Sequence, residues 1–426
     1  MSREERGFDS TVTLPSPDEI RIARDILARG DVDADYPDFK MQKFYVRDEV
    51  TGMKRAYVAG APVRYALNVV GRGTHGYIAA DLDDGSLVWI KDSWRLNKPH
   101  IRKEADIYRK LMEARVPHIS PMVCGGDIEG QETYSQKFVD APWACETDII
   151  DHGNIHHRVV LSAIGRHLKD FACTRELTTA TRDAIEAHCA VFERLKILHG
   201  DISDGNILIT KEGRGILIDW DMTIDVANGA YFSLTGSWEF MSAALLEGEG
   251  KKPRHLQDDL ESFVHVFVHH IIRYRPTGLL FLLTCLEKVY RPYMPGQPSL
   301  YNTSGKFSFF SGVSIPNAEL SGHICESAHR LVKALRRLFF HALYADDDID
   351  PDVRSSAVAK LATSSHILGL FDTALIGQDW AIDDGSQDVL GDGNDEVLGK
   401  ETKGKRIAPS AALEVKMLRS SKRLRK

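Results

Sequence analysis

The sequence predicts an α+β protein with a small β-rich N-terminal lobe and a larger helical lobe. Apolar runs typical of strands, separated by a glycine cluster and an Asp-Asp-Gly turn, fill residues 60–91. After residue 140 the patterns become helical, interrupted only by the short runs NILI and GILI. A hydrophobic content of 43% over 426 residues is typical of a soluble globular chain of one large or two to three ordinary domains.

Charge is distributed unevenly along the chain. The net charge is -7, but residues 401–426 carry nine Lys/Arg against two Glu, so that end is +7 and the remainder is -14. An acidic body is not typical of a general nucleic-acid binder. The basic end indicates nuclear import, a contact with nucleic acid or an acidic partner, or simply a solvated terminus.

Cysteine usage and apolar run length indicate an intracellular, non-membrane protein. The six cysteines are isolated, without a CxxC pair, which favours reduced thiols over disulfides or a metal site. The charged start MSREERGFDS is unlike a secretory signal. The longest apolar run, GLLFLLTCL, is shorter than the roughly 20 residues that span a bilayer, so we expect a buried helix there and no membrane partner.

Composition predicts four regions. A polar N-terminal extension contains one helix, SPDEIRIARDILARG, with Ser16 and Asp18 as candidate caps. Residues 379–396 are rich in Asp and Gly with few apolar residues, which predicts disorder. The predicted boundaries are 1–55 for the extension, 56–140 for the small lobe, 141–372 for the large lobe, and 373–426 for a disordered tail that is first acidic and then basic.

The small lobe carries a glycine pattern between strand-like segments. The run GRGTHGYI fits G-x-G-x-x-G with Gly71, Gly73 and Gly76. A dinucleotide fold requires a strand before the glycines and a helix after them, whereas here RYALNVV precedes, and YIAADL and SLVWIK follow. The pattern therefore predicts a hairpin whose backbone N–H groups can approach phosphate oxygens.

Lys91 ends the third of these strands, where it can reach nucleotide phosphates. A lysine in this role needs a carboxylate to hold it, and we predict Glu104 in the helical segment that begins at Pro99. Glu104 lies about 70° from the apolar stripe of that helix, whereas Asp106 lies about 130° away and is the weaker candidate. A solvated Glu104 is the alternative.

The run HGDISDGN in the large lobe contains H-x-D-x-x-x-x-N, formed by His199, Asp201 and Asn206. The strand NILI, a turn, the strand GILI and Asp219 follow. Such a hairpin brings Asn206 and Asp219 side by side, where their oxygens can share Mg²⁺. A polar turn between strands is the alternative reading of the same residues.

Together these motifs resemble the protein kinase fold, and specifically the fungal-type protein kinase family. The resemblance rests on GRGTHGYI, VWIK, HGDISDGN, DWD, GSWEFMS and DDLESF and covers roughly residues 60 to 345. DDLESF also resembles the casein kinases. The resemblance implies a two-lobed protein kinase-like fold, ATP and Mg²⁺ as cofactors, and a protein substrate phosphorylated on Ser or Thr.

The resemblance also implies a role for each site residue. Asp201 is the catalytic base that accepts the proton of the substrate hydroxyl, and Asn206 and Asp219 hold magnesium. Lys91 contacts the phosphates and pairs with Glu104. The three glycines Gly71, Gly73 and Gly76 lie over the nucleotide. His199 and Asp259 are structural, and Asp259 fixes the catalytic loop from a helix in the core.

Four positions depart from the usual kinase pattern. Gly200 replaces an arginine that reads a phosphorylated activation loop, so we expect no switch of that type. Ser203 replaces a lysine, Asp221 replaces a glycine, and Ala244 replaces the glutamate of A-P-E and removes an ion pair. The form HGDxxxGN also resembles aminoglycoside and choline kinases. A small-molecule kinase and a catalytically silent scaffold are therefore the alternatives, although TGSWEFMS with Thr235 resembles a peptide-docking segment.

Other chemistry-bearing residues have simpler interpretations. His265 and His269 have i, i+4 spacing that can bind zinc, but their apolar surroundings favour core packing or surface histidines. His156 and His157 are expected to be polar loop residues. Trp220 is expected to fill the apolar position of Phe in D-F-G.

Overall fold

The computed structural model has mixed α/β architecture and divides into two compact units. The first comprises the described parts of Met1–Arg115 and Ser120–Ile164, and the second Val116–Ile119 with the described parts of Gly165–Ser410. The structure describes residues 8–30, 40–65, 72–98, 101–138, 141–143, 153–226, 236–247, 252–275, 280–290, 303–316, 320–345 and 349–388.

The first unit is built on a seven-stranded antiparallel sheet in the order β1-β2-β3-β4-β5-β7-β6. Its elements are β1 Val12–Thr13, α1 Pro17–Arg29, β2 Gln42–Arg47, β3 Lys54–Ala59, β4 His75–Asp81, β5 Leu87–Leu96, α2 Glu104–Glu113, β6 Met122–Glu132, a 3₁₀ turn Ser135–Phe138 and β7 Asn154–Leu161. Alternating residues of β2 to β5 form a buried core with β6 and β7.

The predicted N-terminal helix is present as α1. Ser16 caps it, because its hydroxyl accepts the N–H of Glu19 while the Glu19 carboxylate accepts the N–H of Ser16. Asp18, the other candidate, lies in the first turn instead. The apolar side of α1 packs on β3 and β4 through Ala23, Ile26 and Leu27, which join Val58 and Ala80 in one buried cluster.

The expectation that residues 1–55 form a separate extension is wrong for the described part of that range. Val12 pairs with Phe44, so β1 and β2 complete the edge of the sheet. The guanidinium of Arg158 on β7 contacts Asp9 at 2.7 Å and the Thr11 hydroxyl at 2.8 Å. These partners are separated by almost 150 residues, and local sequence patterns carry no signal for such a contact.

The boundary expected at 140/141 also differs from the structure. β7 lies between β5 and β6 in the sheet, so the first unit continues to Ile164. Helix α2 begins at Glu104 rather than at Pro99, because Lys103 has an extended backbone (φ -68°, ψ 135°). Pro99 and most of the expected strand RYALNVV lie outside the described residues.

The second unit is mainly helical. Its elements are β8 Arg166–His167, α3 Thr174–Leu195, β9 Ile197–Leu198, β10 Ile207–Ile209, β11 Gly215–Leu217, β12 Ile224–Asp225, α4 Ala243–Glu247, α5 Leu256–Arg273, α6 Leu280–Tyr290, α7 Thr303–Phe310, α8 Glu326–Phe339, a π-helix Phe340–Tyr344, α9 Pro351–Lys360 and α10 Ser365–Leu375. Short 3₁₀ turns span Leu168–Asp170, Asp204–Asn206 and Trp220–Met222. Small sheets join β8 to β10 and β11, and β9 to β12.

The tail is ordered over part of the range where we expected disorder. Helix α10 continues to Leu375, and the following residues up to Asp388 lie against the second unit. Asp384 accepts the N–H of Thr174 at 2.9 Å, and Asp379 accepts the N–H of Ser327 at 2.8 Å. Acidic residues whose abundance predicted a disordered segment therefore bind the first turns of α3 and α8. Residues 389–426, including the basic end, lie outside the description.

Two further expectations concern cysteines and membranes. The cysteines whose side chains are described, Cys124, Cys173, Cys189 and Cys325, are free thiols, and two of them are buried. No helix within the described segments is both long and apolar enough to cross a bilayer. The described part of the run that we expected to be a buried helix lies in α6, where Leu286 is buried.

Candidate functional site

Lys91 and Glu104 form a buried ion pair in the first unit. The Lys91 Nζ lies 2.8 Å from a Glu104 carboxylate oxygen, and the two residues are only 7% and 4% exposed. The strand β5 and the first residue of α2 bring them together, as their spacing in the sequence predicts. Asp106, the weaker candidate, instead pairs with Arg109 one helical turn away.

His157 holds the N-terminus of α2 against the sheet. Its Nε2 accepts the N–H of Ala105 at 3.3 Å, while its Nδ1 donates to Asp127 at 2.8 Å. Burial lowers the pKa of His157, which keeps the ring neutral and able to accept. Burial opposes ionisation of Asp127, but the hydrogen bonds from Arg95 and His157 bring its pKa below the usual value.

The expectation that His156 and His157 are loop residues is therefore wrong. Both lie on β7 and are buried, and His156 binds Asp92 at 2.7 Å. The sequence NIHH gave no indication of this, because the carboxylate partners are on β5 and β6. A histidine next to a buried carboxylate becomes a structural hydrogen-bonding group.

The glycine hairpin is described in part. Gly76 exchanges backbone hydrogen bonds with Arg64 in an antiparallel bridge, and Gly73 precedes β4. A Cβ at Gly76 would lie 2.2 Å from the Trp89 ring, so this position requires glycine for packing. Gly71 lies outside the described residues.

Asp201 is the central carboxylate of the second unit. It is 5% exposed, and its Oδ1 accepts both the N–H of Ser237 at 2.9 Å and the Ser237 hydroxyl at 3.0 Å. The Asp201 N–H in turn donates to His199 Nδ1 at 3.3 Å. The backbone and the carboxylate of Asp201 are thus both held in place.

Asp259 fixes the loop that carries Asp201. From the fully buried side of α5 its Oδ2 accepts the N–H of His199 at 2.9 Å and of Gly200 at 3.3 Å. It also binds His188 and Arg254 at 2.9 Å each. Burial opposes ionisation of Asp259, but the Arg254 and His188 contacts hold its pKa well below the usual range. The resemblance to kinases implied this role for Asp259.

Asn206 lies at the open end of the β10–β11 hairpin, as predicted. Ile207 pairs with Leu217, and the Ile218 N–H donates to the Asn206 carbonyl at 3.0 Å, which brings Asp219 to the same end. The Asn206 Nδ2 donates to the Asp201 carbonyl at 2.7 Å. The Asn206 Oδ1 is buried without a hydrogen-bond partner among the described residues. A buried oxygen of this kind fits a hard cation.

Asp219 and Trp220 follow this hairpin directly. Asp219 is 8% exposed and has a left-handed backbone (φ 67°), a strained conformation that is concentrated at functional sites. Trp220 is fully buried, its Nε1 donates to the Leu217 carbonyl, and its ring lies 4.6 Å from that of His199. Trp220 is thus a packing residue, as expected.

Gly200 is required by the backbone. Its φ is +83°, and a Cβ there would lie 2.2 Å from the Met222 carbonyl oxygen. An arginine therefore cannot occupy position 200 without moving the Trp220–Met222 turn. The guanidinium of Arg254 donates to the Gly200 carbonyl and to Asp259.

Residues 236–247 contain features that sequence reasoning missed, and we call them the docking segment after the resemblance noted in the sequence. Thr235, the residue we had noted, lies outside the described residues, and it is Ser237 that contacts Asp201. Lys306 on α7 is 2% exposed, and its Nζ donates to the carbonyls of Glu239, at 3.1 Å, and Met241. A lone lysine in the apolar run KFSFF was the available signal.

Carboxylates on α5 bind the other end of this segment. Glu261 accepts the N–H of Ala243 at 2.9 Å and the Tyr344 hydroxyl at 2.5 Å, and Asp258 accepts the Ser242 hydroxyl. Burial raises the pKa of Glu261. Burial also lowers the pKa of Lys306 to about 7, although the negative charges of Glu261 and Glu239 oppose that shift.

The candidate zinc pair takes part in packing. His265 is fully buried and contacts Glu261 at 3.2 Å on the same helix. Burial lowers the pKa of His265 and of His269 well below the ordinary value. The aromatic rings of Tyr290, Phe309 and Phe310 surround His265.

Comparison with known proteins gives one family. Residues 146–271 match the family model described as fungal protein kinase. No curated protein matches the chain. The matched region contains Asp201, Asn206 and Asp219 but ends before α6, and it includes neither Lys91 nor Glu104. The match confirms the resemblance predicted from the motifs and supports a kinase-like phosphotransferase as the broad class.

Proposed function

We propose that the protein is a Mg·ATP-dependent protein kinase that transfers the γ-phosphate to a Ser or Thr hydroxyl, on a two-lobed kinase-like fold. The observation that carries the proposal is the setting of Asp201. Its carboxylate binds Ser237 of the docking segment, and its carbonyl binds Asn206. A proton acceptor is thereby fixed between a candidate metal ligand and a candidate peptide-binding segment.

Asp201 is the residue that orients and deprotonates the acceptor hydroxyl. Ser237 binds Oδ1 through both its N–H and its hydroxyl, and these two hydrogen bonds fix the orientation of the carboxylate. Asp259 and His199 hold the same loop through backbone groups. Phosphoryl transfer depends on positioning and charge stabilisation more than on covalent chemistry, and this arrangement supplies positioning.

Asn206 and Asp219 would hold Mg²⁺. The Oδ1 of Asn206 supports this, because it has no hydrogen-bond partner among the described residues while the Nδ2 bond to Asp201 sets the orientation of the amide. When bound, the ion neutralises charge on the phosphate oxygens. Amide and carboxylate oxygens are the ligand types that magnesium prefers.

Lys91 and the glycine hairpin would bind the nucleotide phosphates. Glu104 holds the Lys91 ammonium at 2.8 Å in a buried setting, so the cation does not need to be ordered when ATP binds. Gly76 brings the backbone of β4 close to the Trp89 ring. Together they would fix the α- and β-phosphates.

The docking segment supports a protein as acceptor. Three independent elements hold it: the Asp201 loop, α5 through Glu261 and α7 through Lys306. The HGDxxxGN form with Gly200 and Ser203 favours a small-molecule acceptor instead. Assaying ADP release with a panel of metabolites distinguishes a protein kinase from a small-molecule kinase. Only a small-molecule kinase should release ADP in response to one of the metabolites.

The test is transfer of labelled γ-phosphate to protein acceptors, including the protein itself. Replacing Asp201 with Asn should lower transfer about 10²- to 10⁴-fold, the usual contribution of a general base, while ATP affinity stays within about twofold. Asp352→Asn on the exposed start of α9 is the matched control and should retain full activity. Absence of transfer by wild-type protein that binds Mg·ATP would refute the proposal.

A further inference from the structure

Lys306 occupies a position that the kinase pattern gives no reason to expect. It is 2% exposed on α7, between Gly305 and the buried rings of Phe309 and Phe310. Burial of an ammonium group is costly unless it is paired or hydrogen-bonded. Nothing in the proposed transfer step uses this group, so its burial needs another explanation.

The contacts of Lys306 supply one. Its Nζ donates to two carbonyl oxygens, those of Glu239 and Met241, which lie in the same turn of the docking segment. Ser237, two residues before Glu239 at the start of that turn, donates twice to Asp201. One short stretch of backbone therefore connects Lys306 to the proposed catalytic base.

The usual support for this segment is absent. Ala244 stands where the A-P-E glutamate is expected, and its side chain cannot form an ion pair. Glu261 on α5 also supports the segment, but as an acceptor rather than a donor. Its carboxylate accepts the Ala243 N–H. A cation that binds carbonyls and a carboxylate that binds an amide thus replace one side-chain ion pair.

We propose that Lys306 is a positioning residue that sets the conformation of the docking segment and, through Ser237, the orientation of Asp201. The inference has a structural consequence, which is independent of the proposed function, and a kinetic consequence, which rests on it. The structural consequence is that residues 236–242 are ordered by Lys306. The kinetic consequence is that acceptor binding and transfer depend on Lys306 while nucleotide binding does not.

The structural test is hydrogen exchange of the amides in residues 236–242. Lys306→Met removes the donor but keeps the chain length, and exchange of the Ser237 amide should accelerate about ten- to hundredfold, the effect of one hydrogen bond to a charged group. The His199 amide, which binds Asp259, should keep its protection. Lys333→Met, at an exposed lysine on α8, is the matched control and should change neither amide.

The kinetic test separates positioning from general stability. In Lys306→Met the acceptor KM should rise or kcat fall about ten- to hundredfold, with ATP affinity unchanged. Lys306→Arg, which keeps a cationic donor, should recover most of the loss. Ser237→Ala combined with Lys306→Met should be less than additive, since both act on Asp201 through one path.

The results that would refute this inference differ from those that would refute the proposed function. Unaltered exchange of residues 236–242 in folded Lys306→Met overturns the inference, whatever the activity. Unfolding of both Lys306 variants with loss of ATP binding also overturns it, because it shows a role in the whole unit rather than in the segment. A wild-type protein without transferase activity refutes the proposed function alone, and the exchange experiment still decides the role of Lys306.

Discussion

The two units of the molecule use buried charge in different ways. In the first unit buried charged side chains bind one another, as Lys91 binds Glu104 and Arg158 binds Asp92. In the second unit Asp259 and Lys306 bind backbone groups as well: Asp259 binds two amides in addition to Arg254, and Lys306 binds two carbonyls. Pairs of side chains orient side chains on rigid strands and helices. Bonds from a side chain to the backbone give shape to loops that have no regular structure of their own.

The largest effect should follow from breaking a bond between a side chain and a loop. Asp259→Ala removes the acceptor of the His199 and Gly200 amides and leaves Arg254 buried without its carboxylate. Loss of one partner of a buried charge pair costs about 3–5 kcal/mol, so we expect the free energy of unfolding to fall by that amount. Denaturant unfolding measures it.

Asp259→Asn is the control that keeps shape and one acceptor oxygen. It should lose less stability than Asp259→Ala, because the amide oxygen still accepts the His199 N–H. If both variants unfold at wild-type denaturant concentrations, then the loop is not held by Asp259, and the contrast between the two units is wrong.

A pH titration tests the paired charges of the first unit. Burial opposes ionisation of Asp92, but Arg158 and His156 bring its pKa to about 2 from 3.8. A depressed pKa stabilises the fold fully above pH 3.8, and the contribution disappears as pH falls through about 2. The shift corresponds to about 2 kcal/mol. Asp92→Asn should lose this contribution at neutral pH.

The free energy of unfolding of Asp92→Asn should accordingly depend less on pH between 4 and 2 than that of the wild type. Urea unfolding at several pH values measures this slope. A variant with the wild-type slope would mean that other carboxylates account for acid sensitivity in this range. Asp352→Asn, which is exposed on α9, serves as the reference.

The smallest effect should arise where a side chain from a distant segment caps a helix. Asp384 accepts the N–H of Thr174 at the start of α3, whose own cap residue, Cys173, makes no side-chain capping bond. Loss of a helix cap costs about 1 kcal/mol, which is the decrease we expect for Asp384→Ala. A shift in thermal unfolding checks it, and no shift would show that the tail contact contributes nothing.

Local sequence patterns predicted those parts of the site whose interacting residues are close to each other in the sequence. The spacing of Lys91 and Glu104 and the hairpin that carries Asn206 and Asp219 are of this kind. The Ser16 cap was equally readable, because its signal spans four residues. Asp259 came from the kinase resemblance rather than from spacing.

Contacts between distant segments could not be predicted. Arg158 binds Asp9 across almost the whole first unit, Lys306 binds the Met241 carbonyl, and Asp384 binds Thr174 over 210 residues. In each case the sequence alone predicts an exposed, solvated charge, because the partner lies in a distant segment. Composition then favours disorder or a loop, and this is why the N-terminal extension, His156 and the tail were misjudged.

The position of β7 has a consequence for synthesis on the ribosome. Strands β5 and β6 do not pair with each other, because β7 lies between them and supplies hydrogen bonds to both. Until residues 154–161 have emerged, each of the two earlier strands has an exposed edge that can pair with other nascent chains. Chaperone binding at this stage of translation would protect the chain, and a ribosome stalled before residue 154 would release an aggregation-prone product.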